Sequence, residues 1–175
     1  MPERTTHTER IYRGRIVSLR QDTVELPSGR TTKREIVEHA EVVAIVPVDS
    51  EGNVLLVRQY RKAAERNLLE IPAGGIEEGE EPLRSARREL EEETGFSAQN
   101  WERLTGFYTS PGFCTEYMHV FLATNLSAAA GKPDDDENIE VVRLPLSKAP
   151  ELISSGEICD AKSIAGLLLA YARRS

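Results

Sequence analysis

Apolar residues are distributed along this chain in two ways, spaced among polar ones or massed in short runs. Within residues 10–26, Ile11, Val17, Leu19 and Val24 stand among polar neighbours ahead of a Pro27-Ser28-Gly29 turn signal. Residues 31–39 alternate again, so the pattern predicts an N-terminal hairpin. Residues 42–48 are a continuous apolar run of strand length, as a buried central strand requires. Asp49-Ser50-Glu51-Gly52-Asn53 turns the chain, and residues 54–57 give a second buried strand that runs into Arg58-Gln59-Tyr60-Arg61. A short strand over 68–71 ends at Pro72, a glycine loop follows, and a charged helix lies between Pro82 and Gly95. Further strands are predicted over 101–108, 118–123 and 139–144, broken by Ser110-Pro111-Gly112-Phe113 and by a polar loop over 127–138. A short helix over 147–154 accommodates Pro150 in its first turn. Asp160 then caps a final helix whose apolar stripe is Ile164, Leu167, Leu168 and Tyr171. Strands, one helix, strands and then helices make a mixed α/β sandwich.

The 175 residues suit one domain, and 39% hydrophobic with 29% charged residues is ordinary for a globular protein. A net charge of -7 argues against a nucleic-acid partner held by phosphate neutralisation. It leaves phosphate-bearing small molecules open, because a bound cation reverses the sign locally. Cys114 and Cys159 are isolated thiols without zinc or disulfide spacing, which suits a reducing cytoplasm. Residues 1–10 are polar and carry no signal-peptide core, and no apolar run approaches the roughly 20 residues needed to span a bilayer. The expectation is a cytoplasmic protein with no membrane partner.

The charged helix is where chemistry concentrates. Pro82 suits its first position, and Gly95 stands where a left-handed C-cap belongs. Leu83, Ala86 and Leu90 share an inward face, and Glu89, Glu92 and Glu93 fall within roughly a 100° arc beside it. Glu91 lies about 160° from both Glu89 and Glu93. A solvated helix laced by ion pairs accounts for part of this: Arg87 and Arg88 lie four residues before Glu91 and Glu92. Glu89 and Glu93 lack such a basic partner and repel each other at that same spacing. A cation would turn the repulsion into binding, and two or three carboxylates completed by water suit Mg²⁺ or Mn²⁺.

Counted from Gly74, the chain presents Glu80, Arg88-Glu89-Leu90, Glu92-Glu93 and Gly95-Phe96. This arrangement resembles the Nudix box at every fixed position. The resemblance implies an α/β/α sandwich with a mixed central sheet and an N-terminal β-hairpin or sheet region. It divides the chain into residues 1–40, serving dimerisation and base binding, and residues 41–175, the Nudix hydrolase domain. It also implies metal-dependent hydrolysis of pyrophosphate bonds in nucleoside diphosphates linked to another group. Glu89, Glu92, Glu93 and the Ala73 carbonyl become candidate metal ligands, with Arg88 orienting the carboxylates and Glu80 bracing the loop. Gly74 and Gly75 would let backbone approach a ligand or adopt positive φ.

Downstream, Pro111 lies sixteen residues after Gly95, and Gly112 and Glu116 follow. This resembles the ADP-ribose pyrophosphatase branch, as do Arg58-Gln59-Tyr60-Arg61 and Glu70-Ile71-Pro72-Ala73-Gly74. The implied substrate is a nucleoside diphosphate sugar, ADP-ribose giving AMP and ribose 5-phosphate. GDP-mannose, FAD, a dinucleoside polyphosphate or a non-catalytic ADP-ribose sensor are the alternatives. Arg61 is a candidate for the diphosphate and Glu70 for the ribose or a metal-bound water, with Arg58, Gly112 and Glu116 as further substrate contacts. Arg58 and Arg61 read equally as a surface pair at a strand end. For the base, Arg34, Glu35 and His39 are the exposed possibilities; His39 and His119 otherwise read as structural. The acidic run Asp134-Asp135-Asp136-Glu137 matches the position of an acidic loop in related hydrolases. The resemblance makes Glu137 the candidate general base or extra metal ligand, with Asp135 and Asp136 as rivals in the loop and Glu92 and Glu93 on the helix. A homodimer is implied by resemblance.

Overall fold

The computed structural model of the chain describes residues 2–129 and 139–174. They divide into two compact units. The first joins residues 1–41 to 107–117, and the second joins 42–106 to 118–175.

The first unit is built on an antiparallel sheet of β1 (Arg4–Arg13), β2 (Val17–Glu25) and β3 (Thr31–His39), ordered β1-β2-β3. Two strands therefore stand where one was expected before the Pro27 turn, and the predicted hairpin is a three-stranded sheet. Every residue of β1 is exposed, so no alternation betrays it. The inward side of β2 contributes Val24 and Asp22. Arg20 pairs with Asp22 on its own strand, and its ion pair with Glu38 ties β2 to β3. Residues 110–116 are stitched to β3 by Val37 N–H to Phe113 O (2.8 Å) and Thr115 N–H to Val37 O (3.0 Å).

The second unit is a mixed sheet with helices on both faces. Its strands are β4 (Val42–Val48), β5 (Asn53–Arg61), β6 (Arg66–Glu70), β7 (Ala73–Gly75), β8 (Phe96–Tyr108), β9 (Tyr117–Ala128) and β10 (Glu140–Pro145). They run β10-β5-β4-β9-β8, with β6 on β5 and β7 on β4. β4 pairs parallel with β9 and antiparallel with β7. Every residue of β4 is buried, as its unbroken apolar run predicts. Pro47 is tolerated there. Ile45 N–H reaches Pro72 O, so Pro47 faces the same side two residues on, in the gap before β4 meets β5 at Val48.

Alternate residues of β4 serve opposite layers. Val43 and Ile45 join Ala86 and Leu90 of α1 (Pro82–Thr94) in one core cluster. Val46 lies under α3 (Ala161–Arg174), where a Cβ on Gly166 would stand 3.0 Å from Val46 Cγ2. The result is an α/β/α sandwich. Pro82 opens α1, and Gly95 closes it at φ 71°, its N–H bonding Glu91 O at 2.9 Å. A 3-10 turn and α2 (Ala149–Ser154) precede α3, with Pro150 in the first turn of α2. The expected stripe on α3 is corrected. Leu167 is buried, but Leu168 and Tyr171 are 41% and 37% exposed, and Ser163 and Ala170 are buried with Leu167. Small residues let this face approach the sheet closely, which a count of large apolar side chains misses.

Candidate active site

The glycine loop is not irregular. Ala73, Gly74 and Gly75 pair with Ala44, Val43 and Val42, which fixes them to the central strand. Gly74 does not use left-handed backbone. What requires a glycine is the Glu89 carboxyl: a Cβ at Gly74 would lie 2.0 Å from its Cδ and 2.2 Å from both oxygens. Left-handed backbone is used instead at Gly79, φ 78°, in the turn before the helix.

Arg88 joins this loop to the helix. Its Nη1 donates to Glu89 Oε1 at 2.7 Å and to Glu92 Oε2 at 2.9 Å. Its Nη2 donates to Gly75 O at 3.0 Å and to Glu80 Oε2 at 3.1 Å. Burial opposes the Arg88 charge, but bonds to Glu80, Glu89 and Glu92 outweigh it and raise its pKa. The hydrogen bond from Arg88 holds the Glu80 carboxyl below its ordinary value. Ser85, buried on the same side, donates to Gly75 O at 3.2 Å. Glu89 has no basic residue four positions before it, yet the adjacent Arg88 reaches it. Glu93 is 7% exposed and accepts from the Ala73 N–H at 3.0 Å.

These carboxylates do not converge as a cage. Among the described residues no group of three or more His, Cys, Asp or Glu side chains stands arranged to hold a metal ion. The expected ligands are spread instead over the nearest donors, Glu89 and Glu92 on Arg88 and Glu93 on Ala73 N–H. The donor chemistry still fits a hard cation. All the side-chain donors are carboxylate oxygens beside the loop backbone. An ion of the Mg²⁺ type keeps several waters and needs only one or two carboxylates.

Glu70, expected at the ribose or a metal-bound water, is placed otherwise. It is 1% exposed. Arg61 grips it through Nε to Oε1 and Nη2 to Oε2, both at 2.9 Å, and Lys162 bonds Oε2 as well. Burial pushes its carboxyl up, but the bonds from Arg61 and the charge of Lys162 outweigh that and hold it below its ordinary value. Arg61 is the exposed side of the pair, its side chain 38% exposed against 2% for Glu70.

Arg58 forms a surface ion pair with Glu140 at 3.4 Å, as the strand-end reading anticipates. Arg34, Gly112 and Glu116 belong to the first unit. Arg34 pairs there with Glu3 at 2.6 Å, and Glu116 lies 3.6 Å from His39 Nδ1. His119 Nδ1 stands 3.4 Å from Arg103 Nη2. Glu137, Asp134, Asp135 and Asp136 lie outside the described residues. Sequence reasoning missed Lys162 altogether. The signal was a cation in the first turn of a helix, which the dipole disfavours without a nearby anion.

The chain is similar to known proteins in sequence and in fold. The N-terminal residues 3–37 match the family described as nucleoside diphosphate sugar hydrolase N-terminal domain. A Bacillus subtilis (strain 168) protein named ADP-ribose pyrophosphatase is 47% identical over 165 residues, covering 93% of this chain and 89% of that protein. A Bacillus methanolicus protein named methanol dehydrogenase activator is 46% identical over the same length and coverage. A Shigella flexneri protein named GDP-mannose pyrophosphatase is 37% identical over 152 residues, covering 82% of this chain and 78% of that protein. The crystal structure of an ADP compounds hydrolase superposes with a TM-score of 0.90 at 25% identity, covering 99% of this chain and 94% of that one. Residues 38–166 match the NUDIX domain, and with the box residues gathered on Arg88 the chain belongs to the Nudix family.

Proposed function

We propose that this protein hydrolyses the pyrophosphate bond of nucleoside diphosphate sugars, ADP-ribose foremost, giving AMP and ribose 5-phosphate. The observation that carries the reading is the loop-helix junction, where Arg88 gathers Glu80, Glu89 and Glu92 against Gly75 O and Glu93 holds Ala73. The Bacillus subtilis relative and the N-terminal family match support the substrate class. Hydrolysis of GDP-mannose is the second reading, favoured by the Shigella relative.

Mg²⁺ or Mn²⁺ bound by Glu89, Glu92, Glu93 and the Ala73 carbonyl would offset diphosphate charge and acidify a bound water. Arg88 orients the carboxylates, and Arg61, fixed in plane by Glu70, receives the diphosphate. A carboxylate takes the proton from the attacking water: Glu137 in the acidic stretch, or Glu92 or Glu93 on the helix. Arg34, Arg58, Gly112 and Glu116 stand as further substrate contacts. R34A, R58A and E116Q would each raise KM if they do so. The expected homodimer is removed by a monomer mass in sedimentation equilibrium. A cytoplasmic location suits the two free cysteines and is checked by cell fractionation.

The deciding experiment is turnover of ADP-ribose, GDP-mannose, FAD and a dinucleoside polyphosphate with Mg²⁺ or Mn²⁺. Absence of turnover on every member, with metal bound, sinks the hydrolase in favour of a sensor. E93Q is expected to abolish turnover with the fold intact. Equal damage from E91Q would break the facial assignment, and wild-type turnover in E137Q would move the base to the helix.

A further inference from the structure

α3 carries a cation where a helix least tolerates one. Lys162 stands in its first turn, at the positive end of the helix dipole. The ammonium is fixed all the same, bonding Glu70 and, at 2.9 Å, Asp160 Oδ1. Asp160 Oδ1 also accepts from Ser163 N–H at 3.1 Å and so caps the helix. The neighbouring residues bring this turn onto the strand end. Ser163 Oγ accepts from Ile71 N–H at 2.9 Å, and Gly166 lies so close that a Cβ would meet Ile71 Cδ1 at 2.9 Å. Lys162, Ser163 and Gly166 thus dock on Glu70 and Ile71 as one surface.

We infer that Lys162 is a positioning residue for the substrate diphosphate, acting through Glu70 on Arg61. This rests on the reading of Arg61 as the diphosphate contact. The four side chains form a chain of alternating charge: Arg61, Glu70, Lys162, Asp160. Arg61 is its most exposed member at 38%, against 2%, 14% and 16% for the others. Alone with Arg61, the Glu70 carboxylate would cancel the guanidinium and leave little field for an anion. With Lys162 on the same carboxylate, Glu70 keeps its two-point grip while part of its charge is answered from behind. Arg61 is then both held in one plane and left electropositive toward solvent. An arginine ordered before the ligand arrives loses less freedom on binding.

The test is a double-mutant cycle of K162M and R61A. ADP-ribose binding is measured by calorimetry in chelator, and KM and kcat are measured with Mg²⁺. K162M is expected to weaken binding and raise KM about tenfold, and to add nothing in the R61A background. Its kcat should stay within about threefold of wild type, because Arg61 binds ground state and transition state alike. S163A removes another bond of the same turn; it should lower Tm and leave KM unchanged. An additive cycle, or a rise in KM from S163A equal to that from K162M, overturns the proposal. So does failure of the metal-free wild type to bind ADP-ribose. Should K162M not fold, K162Q takes its place in the cycle. Loss of the hydrolase reading shows separately, as wild-type protein that binds ADP-ribose and never turns it over.

Discussion

A single methyl group at Gly74 should separate folding from chemistry. In Gly74→Ala the new Cβ would lie 2.0 Å from Glu89 Cδ, where ordinary carbon contacts are about 3.5–4.0 Å. The Glu89 carboxyl must therefore withdraw by about 1.5 Å, leaving its 2.7 Å bond to Arg88. The backbone does not resist, since Gly74 is outside the left-handed region. The atoms that clash are the far end of a flexible side chain. Losing that bond and narrowing the unfolded ensemble act in opposite directions, so net stability should move by no more than about 1 kcal/mol. Displacement by more than an ångström costs a positioned catalytic group about 100-fold, or about 2.7 kcal/mol of transition-state stabilisation. Both quantities are measurable on one preparation: Tm by calorimetry, and kcat/KM from phosphate released when a phosphatase cleaves the AMP and ribose 5-phosphate products. A G74A protein with kcat/KM within about twofold of wild type would refute the reasoning, because Glu89 would then work equally well away from the loop.

Gly95→Ala places a Cβ on left-handed backbone and should cost about 1 kcal/mol, read as a lower urea midpoint. Gly166→Ala forces a methyl against Ile71 and Val46, and overpacking of that kind should destabilise by about 1–3 kcal/mol in the same assay. Arg88→Lys cannot span Gly75 O, Glu80, Glu89 and Glu92 together, so turnover should fall at least about tenfold with a lower Tm. Glu70 has a native pKa below its ordinary 4.5, so its ionised form stabilises the fold fully above that value. That stability drains as pH falls through the lower native pKa. Glu70→Gln should lower stability at neutral pH by about 3 kcal/mol and flatten the loss that sets in as pH falls below 4.5 in urea titrations.

What could be read before the structure follows from where burial leaves a periodic trace. The 42–48 run, Pro82, Gly95 and the Ala86/Leu90 face announce themselves because each answers to local geometry alone. β1 does not, since a strand exposed along its whole length has no inside to mark. The buried face of α3 leaves no such trace, because Ser163 and Gly166 bury themselves by being small. Within the site, helical spacing separated Glu91 from its neighbours but did not anticipate one guanidinium shared by Glu89 and Glu92. Glu70 and Lys162 lie 92 positions apart, and no local rule connects them.

Three of the Arg88 acceptors are carboxylates, so the protein carries its own resting counter-ion for the acidic helix. Small domains nucleated on a metal unfold when the metal is withdrawn, because its binding free energy is part of their folding free energy. Here a chelator should stop turnover and leave the melting curve nearly unmoved, and added metal should restore activity without a refolding lag. On the metal-binding reading, the cation would take up Glu89 and Glu92 against the guanidinium already on them, and its affinity would be set by that competition.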